Sequence, residues 1–76
     1  MKQYTVAYIK DLEEYAYDTY KQGTTIQEIA KELTYELNKY GKDCDEIAIF
    51  EMDSENEAIY YEVVNMHGKY VLVEEV

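Results

Sequence analysis

Asp11-Leu12-Glu13-Glu14-Tyr15-Ala16-Tyr17-Asp18-Thr19-Tyr20-Lys21 is the stretch on which the architecture turns, because it joins a strand-like segment to a well-patterned helix. Asp11 followed by Glu14 has capping-box-like spacing, and Leu12, Tyr15, Ala16 and Tyr20 recur at helical intervals as far as Gly23. Residues 11–21 therefore read as a first helix. Before them, residues 3–9 are rich in β-formers with Tyr4, Val6 and Tyr8 on one face, and read as a strand or as the opening of that helix. After them, Thr25 and Glu28 form a second capping box, and Ile26, Ile29, Ala30, Leu33, Leu37 and Tyr40 make one apolar stripe ended by Gly41.

Beyond the link Lys42 to Asp45 the pattern changes from helical to alternating. Residues 46–52, 57–64 and 69–75 read as three strands, joined by Asp53-Ser54-Glu55-Asn56 and by a turn around His67-Gly68. Short connections make them an antiparallel meander. The expected fold is α+β: two helices packed on one face of a three- or four-stranded, mainly antiparallel sheet, as a single small acidic domain over 1–76. If Ile47, Ile49, Ile59 and Tyr61 point inward, then Phe50, Met52, Tyr60 and Val64 are left on the other face. An apolar outer face pairs with something, and a homodimer is the expectation.

Composition narrows the function. Leu, Ile, Val and Phe supply only 17 of the 76 residues, so the ten tyrosines must provide much of the remaining apolar surface. The net charge is −10 and there is no arginine. That excludes direct affinity for DNA, RNA or an anionic membrane, which depends on neutralising phosphate with Lys and Arg. One cysteine, Cys44, rules out an intrachain disulfide and fits a reducing cytoplasm. The sequence shows no signal-peptide pattern and no apolar run long enough to span a bilayer, so the expected location is cytoplasmic.

Between Asp43 and Glu62 lie eight carboxylates and no lysine. Charges that serve solubility are interspersed in sign, because concentrated like charge repels itself. A one-sided segment implies a cationic partner. Glu51, Asp53, Glu55 and Glu57 alternate, so an extended chain would aim them one way at a repeat of about 6.6 Å. DNA phosphates, rising about 3.4 Å per strand while winding, are separated through space by about twice that. Those four residues, with Asp43, Asp45 and Glu46, are the expected partner-binding set, and Tyr60 and Tyr61 are placed to add packing. Glu28, Glu32 and Glu36 form a further ladder of like charge, interleaved with Lys31 and Lys39.

Other chemistries fit less well. Thr25 to Leu33 resembles the first helix of a helix-turn-helix DNA-binding domain, but an acidic stretch stands where a recognition helix belongs. Asp53 to Glu57 alternates acids like a calcium loop, yet Ala58 and Val64 occupy the places of the required Gly and Glu. Cys44 and His67 lack a third orienting group, and one Cys with one His is too little for zinc. Paired carboxylates abound, but so small a domain without tryptophan offers little cleft in which to shift a pKa. No enzyme activity, cofactor or metal is expected.

A small, acidic, tyrosine-rich domain with these features resembles the DNA-mimic proteins that bacteriophages make to occupy DNA-binding sites on host proteins. In size and profile it is similar to phage inhibitors of the bacterial histone-like nucleoid protein HU. The resemblance covers the whole chain as a profile and carries no diagnostic motif. It implies a partner with a basic, HU-like DNA-contacting surface from which DNA is displaced. Other targets of the same kind are a restriction, CRISPR or transcription component, and the contrasting class is an acidic interaction module that mimics nothing.

Overall fold

The computed structural model describes residues 1–54 and 57–76. Glu55, one of the expected contact residues, lies outside the described residues. Among these the order is β1 (Tyr4–Lys10), β2 (Glu13–Thr19), α1 (Ile26–Tyr40), β3 (Glu46–Glu51), β4 (Ile59–Met66) and β5 (Lys69–Glu74). The strands form one sheet in the order β2-β1-β3-β4-β5, with every pairing antiparallel.

The fold is thus α+β, but the expectation of two helices on a three- or four-stranded sheet is overturned. Residues 11–21 are not a helix; they hold a hairpin turn and the edge strand β2. Two features hide this strand from a periodicity reading. Tyr8 pairs with Ala16 while Ile9 pairs with Glu14, so Tyr15 is an extra residue, a bulge that breaks the alternation and leaves apolar residues at helix-like spacing. The preceding turn is Asp11-Leu12, with φ of 53° and 69°. Two positive φ values are the mark of a type I′ hairpin, normally written with Asn-Gly or Asp-Gly, and a leucine there gives no turn signal. Asp45 helps to hold the turn, since its Oδ2 accepts the Asp11 N–H at 3.1 Å.

The other elements follow from local chemistry. Thr25 caps α1: its Oγ1 accepts the Glu28 N–H at 3.1 Å, and the Glu28 carboxylate accepts the Thr25 N–H at 3.1 Å. Those bonds satisfy helix donors that have no intrahelical partner. The Thr25 N–H, and then the Thr25 hydroxyl at 3.0 Å, donate to the Glu28 carboxylate and hold it below its usual range. At the other end Gly41, with φ 98°, leaves the helix after its N–H reaches Leu37 O at 2.9 Å. The β4–β5 turn is the expected one, His67 and Gly68 at positive φ with Gly68 N–H bonded to Asn65 Oδ1 at 3.0 Å.

The core lies between α1 and one face of the sheet. Ile29, Leu33 and Leu37 meet Val6, Ile47, Ile49 and Val63, with Cys44 at the margin. Tyr4, Tyr8, Tyr20, Tyr61 and Tyr70 pack around them, so half of the ten tyrosines supply the apolar surface that the aliphatic residues lack. The opposite face carries no second layer among the described residues. Ala7 and Ala48 are nevertheless buried there, since Tyr17, Ala7, Ala48 and Tyr60 stand in one cross-strand row with large rings at both ends.

Candidate cation-binding surfaces

The expected acidic set does not form one row. β3 stops at Glu51, and the chain then turns, with Ser54 N–H bonded to Glu51 O at 3.0 Å and Glu57 N–H to Ser54 O at 3.1 Å. Among the described residues, Glu51, Asp53 and Glu57 therefore do not continue one extended strand. Asp53 and Glu57 are exposed beside the turn, and Glu51 pairs with Lys2 at 3.3 Å. Asp43, Asp45 and Glu46 sit at the opposite end of β3, about 17 Å away at about 3.3 Å per residue. Strand β3 thus carries acids at both ends and an apolar middle, Ile47 to Phe50.

Each member of the second group has its own environment. Asp45 accepts the Asp11 amide and lies 3.6 Å from the Lys42 ammonium, and these, the amide first, hold its carboxyl below the usual range. Its charge is already committed to holding the β1–β2 turn. Asp43 is exposed, and its carbonyl oxygen accepts the Tyr15 hydroxyl at 3.1 Å. Glu46 faces Glu62 across the β3–β4 ladder, and both act on the carboxyl of Glu75. Hydrogen bonding with Glu46, then burial and the charges of Glu46 and Glu62, push the Glu75 carboxyl up. Reading the sequence missed Glu75 because nothing local places it beside Glu46.

A second acidic group was half visible. Glu32 and Glu36 belong to the like-charged ladder of α1, and the fold brings Asp18 of β2 together with them around Tyr20, within reach of its hydroxyl's electrostatics. Tyr8 donates to Asp18 Oδ2 at 2.8 Å. Burial, then Asp18, Tyr20 and Glu36, push the Tyr8 hydroxyl strongly up; burial, then Glu32, Glu36 and Asp18, push Tyr20 up to about 12. Burial and the nearby carboxylates of Asp45 and Asp43 also raise the Cys44 thiol. Weak acids resist ionising here first because they are buried and then because carboxylates stand nearby. The alternation Ala16, Asp18, Tyr20 would have announced Asp18 on this face, had residues 13–19 been read as a strand.

Lysine offsets little of this. Among the described residues the ion pairs are Lys2–Glu51 and Lys42–Asp45, while the Lys39 ammonium lies over the rings of Tyr35 and Tyr40 at 5.6 and 5.2 Å. No group of three or more His, Cys, Asp or Glu among the described residues is arranged to hold a metal ion. Cys44 is in the core and His67 in an exposed turn. After α1 the chain enters β3, so the helix-turn-helix likeness ends at its first helix. No described helix is long and apolar enough to cross a membrane.

Neither a protein-family model, nor a curated protein, nor a solved structure matches this chain.

Proposed function

We propose that this chain is a binding protein rather than an enzyme, a DNA mimic that occupies the basic DNA-contacting surface of another protein and excludes DNA by competition. The nucleoid protein HU is the first target to test, and the bacterial cytoplasm or nucleoid is the place of action. The observation that carries the reading is charge left without partners: 17 carboxylates against seven ammonium groups, with two ion pairs among the described residues. These acids lie at both ends of β3 and along the β2–α1 side. The molecule is 36 Å long, comparable with one turn of B-DNA at about 34–36 Å. Its field would steer it toward a Lys/Arg groove from a distance.

The uncovered sheet face favours a second copy of the chain as a further partner. Tyr17, Met52 and Tyr60 are exposed around a hollow of about 340 Å³ floored by Ala48 and Phe50, and a core this small gains from association.

Competition gel shifts test the function. No complex should form with DNA alone, and DNA should be released from HU as the chain is added. Release should weaken steeply with salt, because exposed charges are screened over about 10 Å at 0.1 M. Changing Asp53, Glu55 and Glu57 together to Lys should weaken competition without unfolding the protein. A direct shift of naked DNA, or salt-independent competition, overturns the reading.

A further inference from the structure

The helix covers the β5 side of its sheet face and leaves a groove on the β2 side. Leu33, Leu37, Ile47 and Ala16 give it an apolar floor, with Cys44 at its base. Three rings wall it: Tyr8, Tyr15 and Tyr40. The bulge in β2 is what turns Tyr15 this way, beside the Tyr8 ring at 6.3 Å between centroids and with its hydroxyl on Asp43 O. Two carboxylates, Glu36 and Asp43, stand on the rim, and neither is in an ion pair.

From this geometry we infer that the groove receives one arginine side chain from the basic partner, its stem along the leucines and its guanidinium between tyrosine rings and the Glu36 and Asp43 carboxylates. The inference rests on the DNA-mimic reading for the identity of the partner, but on the groove alone for the chemistry. The volume, about 260 Å³, is below the 300–1,000 Å³ or so of small-molecule pockets and suits a single extended side chain. Apolar floor and charged rim match a residue that buries its stem and keeps its head at the surface. A planar guanidinium also stacks on rings and bonds carboxylates in pairs, which an ammonium does not. The ring of Tyr40 already attracts a cation, the Lys39 ammonium at 5.2 Å. Burial first, and then the charges of Asp18, Asp43 and Asp45, raise the hydroxyls of Tyr8 and Tyr15 and the thiol of Cys44.

The probe is a blocked Gly-Arg-Gly peptide, compared with its citrulline and lysine counterparts. Binding is followed by the ring resonances of Tyr15 and Tyr40 and by the rate at which iodoacetamide alkylates Cys44. The arginine peptide should shift both rings saturably and slow alkylation, while citrulline, of equal shape but uncharged, should do neither. Glu36→Gln and Asp43→Asn, both isosteric, should each weaken the peptide about tenfold, the equivalent of one lost charge-assisted bond. Circular dichroism confirms their fold, and Tyr15→Leu tests the stacking wall independently. Equal effects from citrulline or lysine, or unchanged binding in the folded carboxamide variants, overturn the inference. Failure of the chain to release DNA from HU would instead strike the mimic reading, and leaves the peptide result standing.

Discussion

The two edge strands of the sheet are finished in opposite ways. On the β5 side the helix closes the edge: Asn38 donates to Tyr70 O at 3.0 Å and accepts Tyr70 N–H at 2.9 Å, so one side chain takes both outward backbone groups of that residue. On the β2 side every residue of the strand except Ala16 is exposed. The cause is width. Five strands at about 4.8 Å span about 19 Å, whereas one helix is about 10 Å across, so a single helix must leave one side bare. The covered edge supplies stability and the bare one supplies the acidic, tyrosine-walled groove.

The sharpest test of that contrast is mutational. Ile29→Ala, fully buried on the sheet-facing side of α1, should cost about 2–5 kcal/mol in urea unfolding. Tyr15→Ala, on the bare side and about half exposed, should cost about 1 kcal/mol. Equal losses would mean that something covers the β2 side in solution, and a loss that grows with protein concentration would point to a second copy.

Next in size is the edge itself. Asn38→Ala should lower stability by about 1–2 kcal/mol, since it removes both bonds to Tyr70 and a local one to Thr34 O at a solvated position. Hydrogen exchange at the Tyr70 amide should quicken with it. Unchanged protection there would show that β5 is guarded by packing and not by the Asn38 amide.

A smaller effect of opposite sign is expected at the β1–β2 turn. Leu12 is 91% exposed at φ 69°, where it gains little from burial and bears the strain of a left-handed conformation. Leu12→Gly creates the Asp-Gly pair that this turn favours and should raise stability by about 1 kcal/mol, read from the thermal midpoint. A decrease would show that Leu12 makes a contact worth more than its strain.

The last effect vanishes at neutral pH. Tyr8 and Tyr20 on the bare side hold their protons more tightly when folded than when unfolded, where tyrosine titrates near 10. The stability they contribute is therefore complete below about pH 10 and is lost as pH rises from there through about 12, the folded value of Tyr20. Melts at about pH 8 and 11 should show the loss, and Tyr20→Phe should reduce it. A flat profile would show that neither burial nor the neighbouring carboxylates hold these protons.

What was legible in the sequence, and what was not, divides along the same line. Elements whose signals are local were readable: the Thr25–Glu28 box, the stripe from Ile26 to Tyr40, the stop at Gly41, the alternation of β3 and β4, and the His67-Gly68 turn. Residues 11–21 failed because a leucine occupies a glycine's place in the turn and a bulge at Tyr15 spoils the period of two. That one error also misplaced Asp18, which the fold carries from an imagined helix surface to the helix-facing side of β2, where it accepts the Tyr8 hydroxyl.

By itself the sequence determined the charge and its sign, the scarcity of aliphatic core, the burden this puts on tyrosine, and the boundaries of α1. Each depends on composition or on neighbours within one or two turns. The tertiary structure alone decided that Glu46 acts on Glu75, that Asp18, Glu32 and Glu36 all act on Tyr20, and that the acids around β3 divide between its two ends. Those pairings join residues far apart in the chain and are set by strand register. Register in turn follows from burial of Val6, Ile47, Ile49 and Val63 beneath the helix, because a slip of one residue would turn them all to the open face.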